Sequence, residues 1–495
     1  MTRAATAAPT FDLRDNLAVD LHPVRGNAAS GRHRPHRVDS PARPFEPRRD
    51  WHFGFLTGHR VYTALTMTIC TVVLYLLQDW IWPKAQAPHG FWQQVWSWGS
   101  LVWLGAVIPG TLGLLGMLAY RHPRTLDAVS PTSQTVCWRI VTRGTNVEAL
   151  QSTIRRCQQE MRKTSLFPYL VEVVVDEKAP IDRLPHDDDV VYLEVPKSYQ
   201  TPNGTLFKAR GLQYALENST LPDDAWIVHL DEETQPTSSG VKGIAQMIRE
   251  EEESGQLRVG QGAILYHRQW RKHPIMTLAD NVRTGDDFAR FHFQHRVGRT
   301  IFGLHGSYIV VRNDVEKSVG FDFGPVGSIT EDAFWALVLM ENGGRARWVD
   351  GYLEEQSTQS IRDFVKQRRR WYQGLVKVSL FAPVKLRWRV CLGINTLLWT
   401  IAPLGAIYTI GHAVYGFEVN SWVRVLANLS FAEFVTLYFI GLKANLDEYG
   451  ITHPIKRLGW SVAQLVLTPF FSLLESAGVA TAIIRPVAGF HVVSK

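Results

Sequence analysis

Cysteine is scarce. The four present, Cys70, Cys137, Cys157 and Cys391, show neither paired nor metal-type spacing, and two of them fall inside apolar runs. This excludes a disulfide framework or a cysteine-ligated zinc centre and predicts reduced, structural thiols in a protein facing a reducing compartment. The first 50 residues lack an apolar core, so no secretory signal peptide is expected there. No internal repeat is evident, which argues against a transporter built from duplicated halves. An acidic excess is also missing. With 53 Lys and Arg against 46 Asp and Glu, the net charge is +7, which favours an anionic partner such as a phospholipid surface, a nucleotide or nucleic acid. Many of the 17 tryptophans lie in or beside long apolar runs. Indoles concentrate at bilayer interfaces, so membrane is favoured and nucleic acid is not.

Long apolar runs are what the chain does have. Residues 1–60 are rich in Arg, Ala, Pro and His and read as a disordered basic tail, whose arginines (Arg25, Arg32, Arg34, Arg37, Arg48, Arg49, Arg60) predict a cytoplasmic amino terminus. Val61–Pro83 and Val95–Tyr120 are each long enough to cross a hydrocarbon core of roughly 30 Å at about 1.5 Å per residue. Trp80 and Trp82 mark the far interface, and only Lys84 lies in the linker, while Arg121, His122 and Arg124 follow the second run. The pair therefore reads as a hairpin with both ends inside. Apolar runs return at Val390–Tyr415, Trp422–Leu442 and Leu458–Ile484, the last interrupted by Pro469. The region 388–495 is thus expected to hold two or three spans. Glu433 and Glu475 lie within them and must face protein or water, where each either functions or pairs with another buried polar group. The expectation is a multi-pass integral membrane protein.

Between the two membrane regions, 121–380 alternates short β-branched runs with helical patterns, as an α/β domain does. Strands are expected at Thr135–Thr142, Leu170–Val175, Val190–Val195, Ala225–Leu230, Arg258–Tyr266, Ser307–Val311 and Arg345–Val349. Helices are expected near 146–162, 205–218, 238–252, 276–297 and 331–342. The stretch His229-Leu-Asp-Glu-Glu-Thr-Gln-Pro236 puts Asp231 and Glu233 where a strand runs out, at the carboxyl edge of an expected parallel sheet. Two carboxylates one residue apart on an extended chain point the same way, and such oxygen ligands hold Mg²⁺ or Mn²⁺ beside phosphates. A solvated acidic loop is the ordinary alternative.

Other stretches carry similar double readings. Thr142-Arg143-Gly144 ends one strand in a turn suited to nucleotide contact, and Asp176 ends another, where a carboxylate can accept hydrogen bonds from a base or ribose. Thr330-Glu331-Asp332 opens a helix after the Gly/Pro-rich loop Gly324-Pro-Val-Gly-Ser-Ile, where a capping Thr with acids in the first turn is the ordinary reading and the one this tripeptide alone favours. Gln367-Arg368-Arg369-Arg370-Trp371 lies on an amphipathic basic segment before the third span, which reads alternatively as a solvated or lipid-facing helix.

In order, Asp176, Asp231-x-Glu233, Thr-Glu-Asp332 and Gln-x-x-Arg-Trp371 resemble the motif series of membrane-embedded family 2 glycosyltransferases. This GT-A family includes cellulose, chitin and hyaluronan synthases. The longer stretches His229-Leu-Asp-Glu-Glu-Thr and Gly306-Ser-Tyr…Phe321-Asp-Phe-Gly-Pro-Val-Gly-Ser-Ile-Thr-Glu-Asp332 look most like its Egghead-type β-1,4-mannosyltransferases, which act on glucosylceramide. The likeness covers roughly 135–380. It implies a cytoplasmic GT-A domain between transmembrane helices that moves a sugar with inversion, mannose from GDP-mannose, onto a lipid-linked acceptor.

Asp332 would then be the general base and Asp231 and Glu233 the ligands of a divalent metal (Mg or Mn). Thr142, Arg143, Asp176, Lys208, Asp231 and Arg370 would contact the donor, and Gln367, Trp371, His305, Ser307 and Glu331 the acceptor. A satisfied core histidine is the ordinary reading of His305. Two positions depart from the wider family: Glu233 stands where an Asp is usual, and Glu177 where many relatives carry a second Asp. A processive β-polysaccharide synthase and a catalytically silent membrane scaffold are the rival readings. Oligomeric state has no signature in the sequence.

Overall fold

The computed structural model describes residues 59–81, 87–120, 126, 129–414 and 416–486. The basic tail expected over 1–60 lies outside this set except for its last two residues, as do Trp82, Lys84, Arg121, His122 and Arg124.

One sheet of eight strands organises the middle of the chain: β1 (Val136–Thr142), β2 (Tyr169–Asp176), β3 (Val190–Val195), β4 (Trp226–Leu230), β5 (Gln235–Pro236), β6 (Val259–Leu265), β7 (Ile309–Arg312) and β8 (Ala346–Glu354), in spatial order β3-β2-β1-β4-β7-β6-β8-β5. The expected parallel sheet is in fact mixed. Strands β3, β2, β1 and β4 run parallel, but β7 is antiparallel to both β4 and β6. A short buried apolar run has no mark of its direction, so composition could not distinguish the two cases. What matters for function survives the correction. Register pairs Thr142 with Val175 and Ile140 with Leu230, so Thr142, Asp176 and Asp231 emerge at the same carboxyl edge.

The helices are α1 (His59–Ile81), α2 (Phe91–Trp98), α3 (Val107–Ala119), α4 (Val147–Thr164), α5 (Phe207–Asn218), α6 (Ser238–Ser254), α7 (Pro274–Asp286), α8 (His292–Arg296), α9 (Asn313–Val319), α10 (Glu331–Glu341), α11 (Ile361–Phe381), α12 (Leu386–Val414), α13 (Ser421–Glu448) and α14 (Pro454–Ile484). Helices α4 and α6 cover one sheet face, where Leu150, Ile154, Ile244 and Ile248 are fully buried with Val171, Val173 and Val228. Helices α5 and α10 cover the other. Local chemistry sets the helix starts. Thr237 caps α6 by accepting the Gly240 N–H, and Asn146 caps α4 by accepting that of Ala149.

Five stretches are long and apolar enough to cross a membrane: α1, Phe91–Ala119, α12, α13 and α14. Leu76, Leu397, Ile407 and Val466 are exposed on them, as a lipid-facing surface requires. The second span is not the uniform helix expected. A 3₁₀ segment, Gly99–Ala106, joins α2 to α3, and at Gly99 and Gly105 added methyls would collide with Tyr408 and Ile401 of α12. Pro469 does not interrupt α14, which runs through it; membrane helices tolerate proline where neighbouring groups take up the freed carbonyl.

The sheet is tied to the spans mainly through α7 and α13. At Gly285 and Gly441 a side chain would strike the carbonyls of Leu437 and Asn281, so the two backbones touch. A relay of amides runs beside this contact. The Tyr266 N–H donates to Asn445 at 2.7 Å, Asn445 to Asn281 at 2.8 Å, and Asn281 to Gln464 at 2.8 Å, linking the end of β6 to α13, α7 and α14. Glu475, the costly acid of α14, accepts from Arg368 of α11 at 2.6 Å, so it takes the pairing reading.

Candidate active site

The carboxyl edge of the sheet opens into a cavity of about 1660 Å³. Every residue singled out from the sequence lines it: Thr142, Arg143, Asp176, Lys208, Asp231, Glu233, His305, Ser307, Glu331, Asp332, Gln367, Arg370 and Trp371. The same cavity continues between the spans, along Ile69 and Leu77 of α1, Leu398 and Ile401 of α12, Phe434 of α13 and Leu465 of α14.

Lys208 is the hub. It sits in the first turn of α5, whose first residue, Phe207, has a left-handed backbone (φ 56°). Its ammonium donates to Asp231 Oδ1 and, at 2.9 Å, to the Gly306 carbonyl, and lies 3.8 Å from Glu331 Oε1. Burial works against this charge, but Asp231 and Glu331 outweigh it and hold the lysine protonated. Asp332 closes on the same point. A methyl at Gly306 would lie 3.2 Å from Lys208 Nζ and 3.3 Å from Asp332 Oδ2, which puts ammonium and carboxylate within about 7 Å of each other. The acid at the start of α10 and the acid at the end of β4 therefore share one small chamber.

Electrostatics separates the acids. Burial, and next to it the Glu331 carboxylate, push the Asp332 carboxyl up to about 7. Burial likewise raises Glu331, with Lys208 pulling the other way. Arg370 reaches the chamber from α11. Desolvation lowers its pKa, while Glu331, Asp231, Asp332 and Glu233 oppose that shift. Two cations, Lys208 and Arg370, thus face four acids, a negative balance suited to a divalent cation that would in turn receive an anionic group.

Several sequence expectations change in detail. Thr330 stands at the N-cap of α10, but its hydroxyl makes no cap bond, so the ordinary capping reading fails. The basic helix α11 is not a lipid-facing one, because Arg368 is 1% exposed and pairs with Glu475 and Asp280. Trp371 faces the cavity, yet the guanidiniums of Arg283 and Arg368 lie 4.5 and 4.6 Å from its ring centre. They occupy area that the sequence reading left for a sugar. Gln367 lines the cavity and also accepts from Arg368 at 2.7 Å, so it holds that guanidinium in place. Asp176 is half exposed and bound by Arg210 at 3.0 Å, with Arg143 at 3.9 Å. His305 is neither a plain core histidine nor an open one. It lines the cavity 3.3 Å from Asp287 Oδ1, and burial drives its pKa down to about 3. Ser307 is buried, and its carbonyl accepts from Gln261 at 3.4 Å.

Arg210, Glu232 and Arg268 were missed. Glu232 accepts from the Thr142 hydroxyl, and Arg268 donates to the Glu233 carbonyl at 2.8 Å, bracing the acidic turn from both sides. Spacing shows none of this, since the partners come from distant segments of the chain. His229 turns away beneath the sheet, where it meets Glu316 at 2.5 Å.

Among the described residues no group of three or more His, Cys, Asp or Glu is arranged around one point for a metal. Asp231 and Glu233 nevertheless supply hard oxygens to the cavity beside Lys208. Mg²⁺ or Mn²⁺ held by one or two carboxylates and completed by substrate phosphates needs no third protein ligand. The residues fit such an ion.

Residues 226–442 match the family described as Glycosyl transferase family group 2. The chain is 30% identical over 401 residues to beta-1,4-mannosyltransferase egh of Drosophila melanogaster, covering 80% of this chain and 86% of that protein. It is 31% identical over 391 residues to beta-1,4-mannosyltransferase bre-3 of Caenorhabditis elegans, covering 77% and 83%. Among solved structures, the mannosyltransferase PcManGT from Pyrobaculum calidifontis, in complex with GDP-Man and Mn²⁺, aligns with a TM-score of 0.45 at 12% identity, over 79% of this chain and 100% of that one. Identity at the level of the fly and worm proteins, sustained along most of the chain, means that it belongs to the family 2 glycosyltransferases and is an enzyme of sugar transfer.

Proposed function

We propose that the enzyme transfers mannose from GDP-mannose to a hydroxyl of a lipid-linked sugar, with inversion to a β-linkage. One observation carries the lipid half of this reading. The cavity that holds Asp231, Asp332 and Arg370 continues without a wall into the apolar space between α1, α12, α13 and α14. A soluble acceptor would have no use for that extension, whereas a glycolipid needs its sugar beside the acids and its chains among the spans. Mannose as the donor sugar rests on the names of the relatives.

Thr142, Arg143 and Asp176 stand at the strand ends where the nucleoside would lie, and Lys208 and Arg370 neutralise the diphosphate as it leaves. Asp332 accepts the proton of the acceptor hydroxyl while that oxygen attacks the anomeric carbon from the face opposite the diphosphate. One such displacement turns an α-linked donor into a β-linked product. Asp231 and Glu233 would hold the divalent ion, which supplies further charge neutralisation to the leaving group. The catalytic domain is placed on the cytoplasmic side, following the arginine-rich amino-terminal tail.

Purified enzyme in nanodiscs, supplied with radiolabelled GDP-mannose, is expected to label a monoglycosyl lipid at least 10-fold faster than a soluble glycoside of the same sugar. Equal rates would refute the lipid acceptor, and a ladder of products instead of one added sugar would favour a processive synthase. Chelation by EDTA is expected to remove nearly all turnover, and Mn²⁺ or Mg²⁺ to restore it. Unchanged activity in EDTA would take Asp231 and Glu233 out of the metal role.

A further inference from the structure

The long motif that ends in Thr330-Glu331-Asp332 begins at Phe321, and its first part, Phe321–Ser328, does not line the cavity. It is bound instead to the loop 201–206 that leads into Lys208. Asp322 takes three hydrogen bonds from that loop. Its Oδ1 accepts from the Thr205 hydroxyl at 2.8 Å, its Oδ2 from the Asn203 N–H at 2.9 Å, and its carbonyl from the Asn203 side-chain amide at 3.0 Å. The Thr205 hydroxyl in turn accepts the Gly324 N–H at 2.7 Å. Ser328 repeats the pattern, accepting the Leu206 N–H at 2.9 Å and donating to the Gly324 carbonyl at 2.7 Å. Both hydroxyl residues are buried. Since each hydroxyl donates and accepts at once, neither can turn without stranding a buried polar group.

This clasp joins two segments just ahead of the residues assigned to the chemistry. Beyond Leu206 the chain turns through left-handed Phe207 into α5 and Lys208, and that helix start has no side-chain cap. Beyond Ser328 it passes Ile329 and Thr330 into Glu331 and Asp332, again without a side-chain cap. The helix layer does not depend on the clasp. Leu212 and Leu216 of α5 and Phe334 and Leu337 of α10 are buried in one core, and Gln213 ties α5 to the Phe321 N–H at 2.8 Å. What the clasp adds is the alignment of one helix start against the other.

We infer that Thr205, Asp322 and Ser328 are positioning residues that hold the Lys208 ammonium and the Asp332 carboxylate at their working separation. This rests on the reading of Asp332 as the base and adds what keeps it opposite Lys208. Burial, Glu331 and Asp231 raise the Asp332 carboxyl to about 7, while the Ala333 N–H and Lys208 hold it back. Arg370 faces it from α11. A slackened clasp lets Lys208 withdraw, and the pKa of Asp332 then rises further.

The test uses the full-length enzyme in nanodiscs, with GDP-mannose and a short-chain monoglucosyl lipid as substrates. Valine in place of Thr205 keeps the shape and loses the hydroxyl, whereas serine keeps the hydroxyl. Thr205→Val is expected to lower kcat by between about 10- and 100-fold, the scale of a small misplacement at a reacting centre. Its KM for GDP-mannose is expected to stay within about 3-fold of wild type, and the rising limb of kcat/KM against pH to move up by at least about 0.5. Thr205→Ser is expected to match wild type in all three. A Thr205→Val enzyme with wild-type kcat, or with a lowered kcat and an unmoved limb, would overturn the clasp even if its melting temperature had fallen, because a merely structural tie moves stability alone. A serine variant as impaired as the valine one would overturn it too. Should Thr205→Val not fold, Ser328→Ala, which leaves the bonds of Asp322 in place, is read by the same criteria. A wild type with no limb at all would remove Asp332 as the base. The clasp is then decided by kcat, upheld by loss in the valine variant with recovery in the serine one and overturned by any other pattern.

Discussion

Asp332→Asn is expected to lower kcat by between about 10²- and 10⁴-fold, the range over which a positioned general base contributes, with GDP-mannose affinity near that of wild type. The substitution keeps the shape of the side chain and its place at the start of α10, where Oδ1 accepts the Ala333 N–H at 2.7 Å. What it removes is the ability to take a proton. Burial and Glu331 raise the wild-type carboxyl to about 7. A base works only when ionised, so kcat/KM for wild type is expected to rise with pH up to about 7 and level off above it. The residual activity of the variant should lack that limb. Turnover equal to wild type, or a flat wild-type profile between pH 5 and 8, would remove Asp332 from the chemistry. A loss of nucleotide affinity parallel to the loss of rate would instead mark it as part of the donor site.

Arg368→Met is expected to cost about 3–5 kcal/mol of stability, the usual penalty for leaving a buried charge without its partner. Arg368 joins three elements: it donates to Glu475 of α14 at 2.6 Å, to Asp280 of α7 at 3.0 Å and to Gln367 of its own helix at 2.7 Å. Methionine fills the aliphatic volume and abandons the buried carboxylate of Asp280 and the partly buried one of Glu475. The expected readout is a lower temperature at which the detergent-solubilised protein loses its monodisperse elution. Neutralising the acids in the triple variant Arg368→Met, Asp280→Asn, Glu475→Gln is expected to recover most of the loss, because the cost lies in the stranded charges and not in the missing contacts. A single variant as stable as wild type would show that water reaches the pair and screens it.

Much of the site was legible before the fold. Asp231 and Glu233 on an extended segment after a β-branched run, Glu331 and Asp332 opening a helix after a Gly/Pro-rich loop, and Gln367–Trp371 just ahead of an apolar run each have an ordinary reading alone. Only their order along the chain singles them out. Each signal is local, set by strand period, turn chemistry or helix start, and so is written in consecutive residues. Arg210, Glu232 and Arg268 left no such trace, since each matters only through a partner brought in from a distant part of the chain. The same reason hid the fate of Trp371, whose ring is crowded by Arg283 from α7, and of Arg368, which reads as one basic residue among three.

Hydrophobic period and charge along the chain determined that membrane-length helices flank an α/β domain and that its acids sit at strand ends, because burial and backbone geometry act over a few residues at a time. The direction of β7, the meeting of Asp231 with Asp332 across Lys208, and the opening of the acidic chamber into the spans were decided by tertiary structure alone. These depend on which distant segments pack together, and packing is set by shape and close approach, as at Gly285 against α13, which no single stretch of sequence contains.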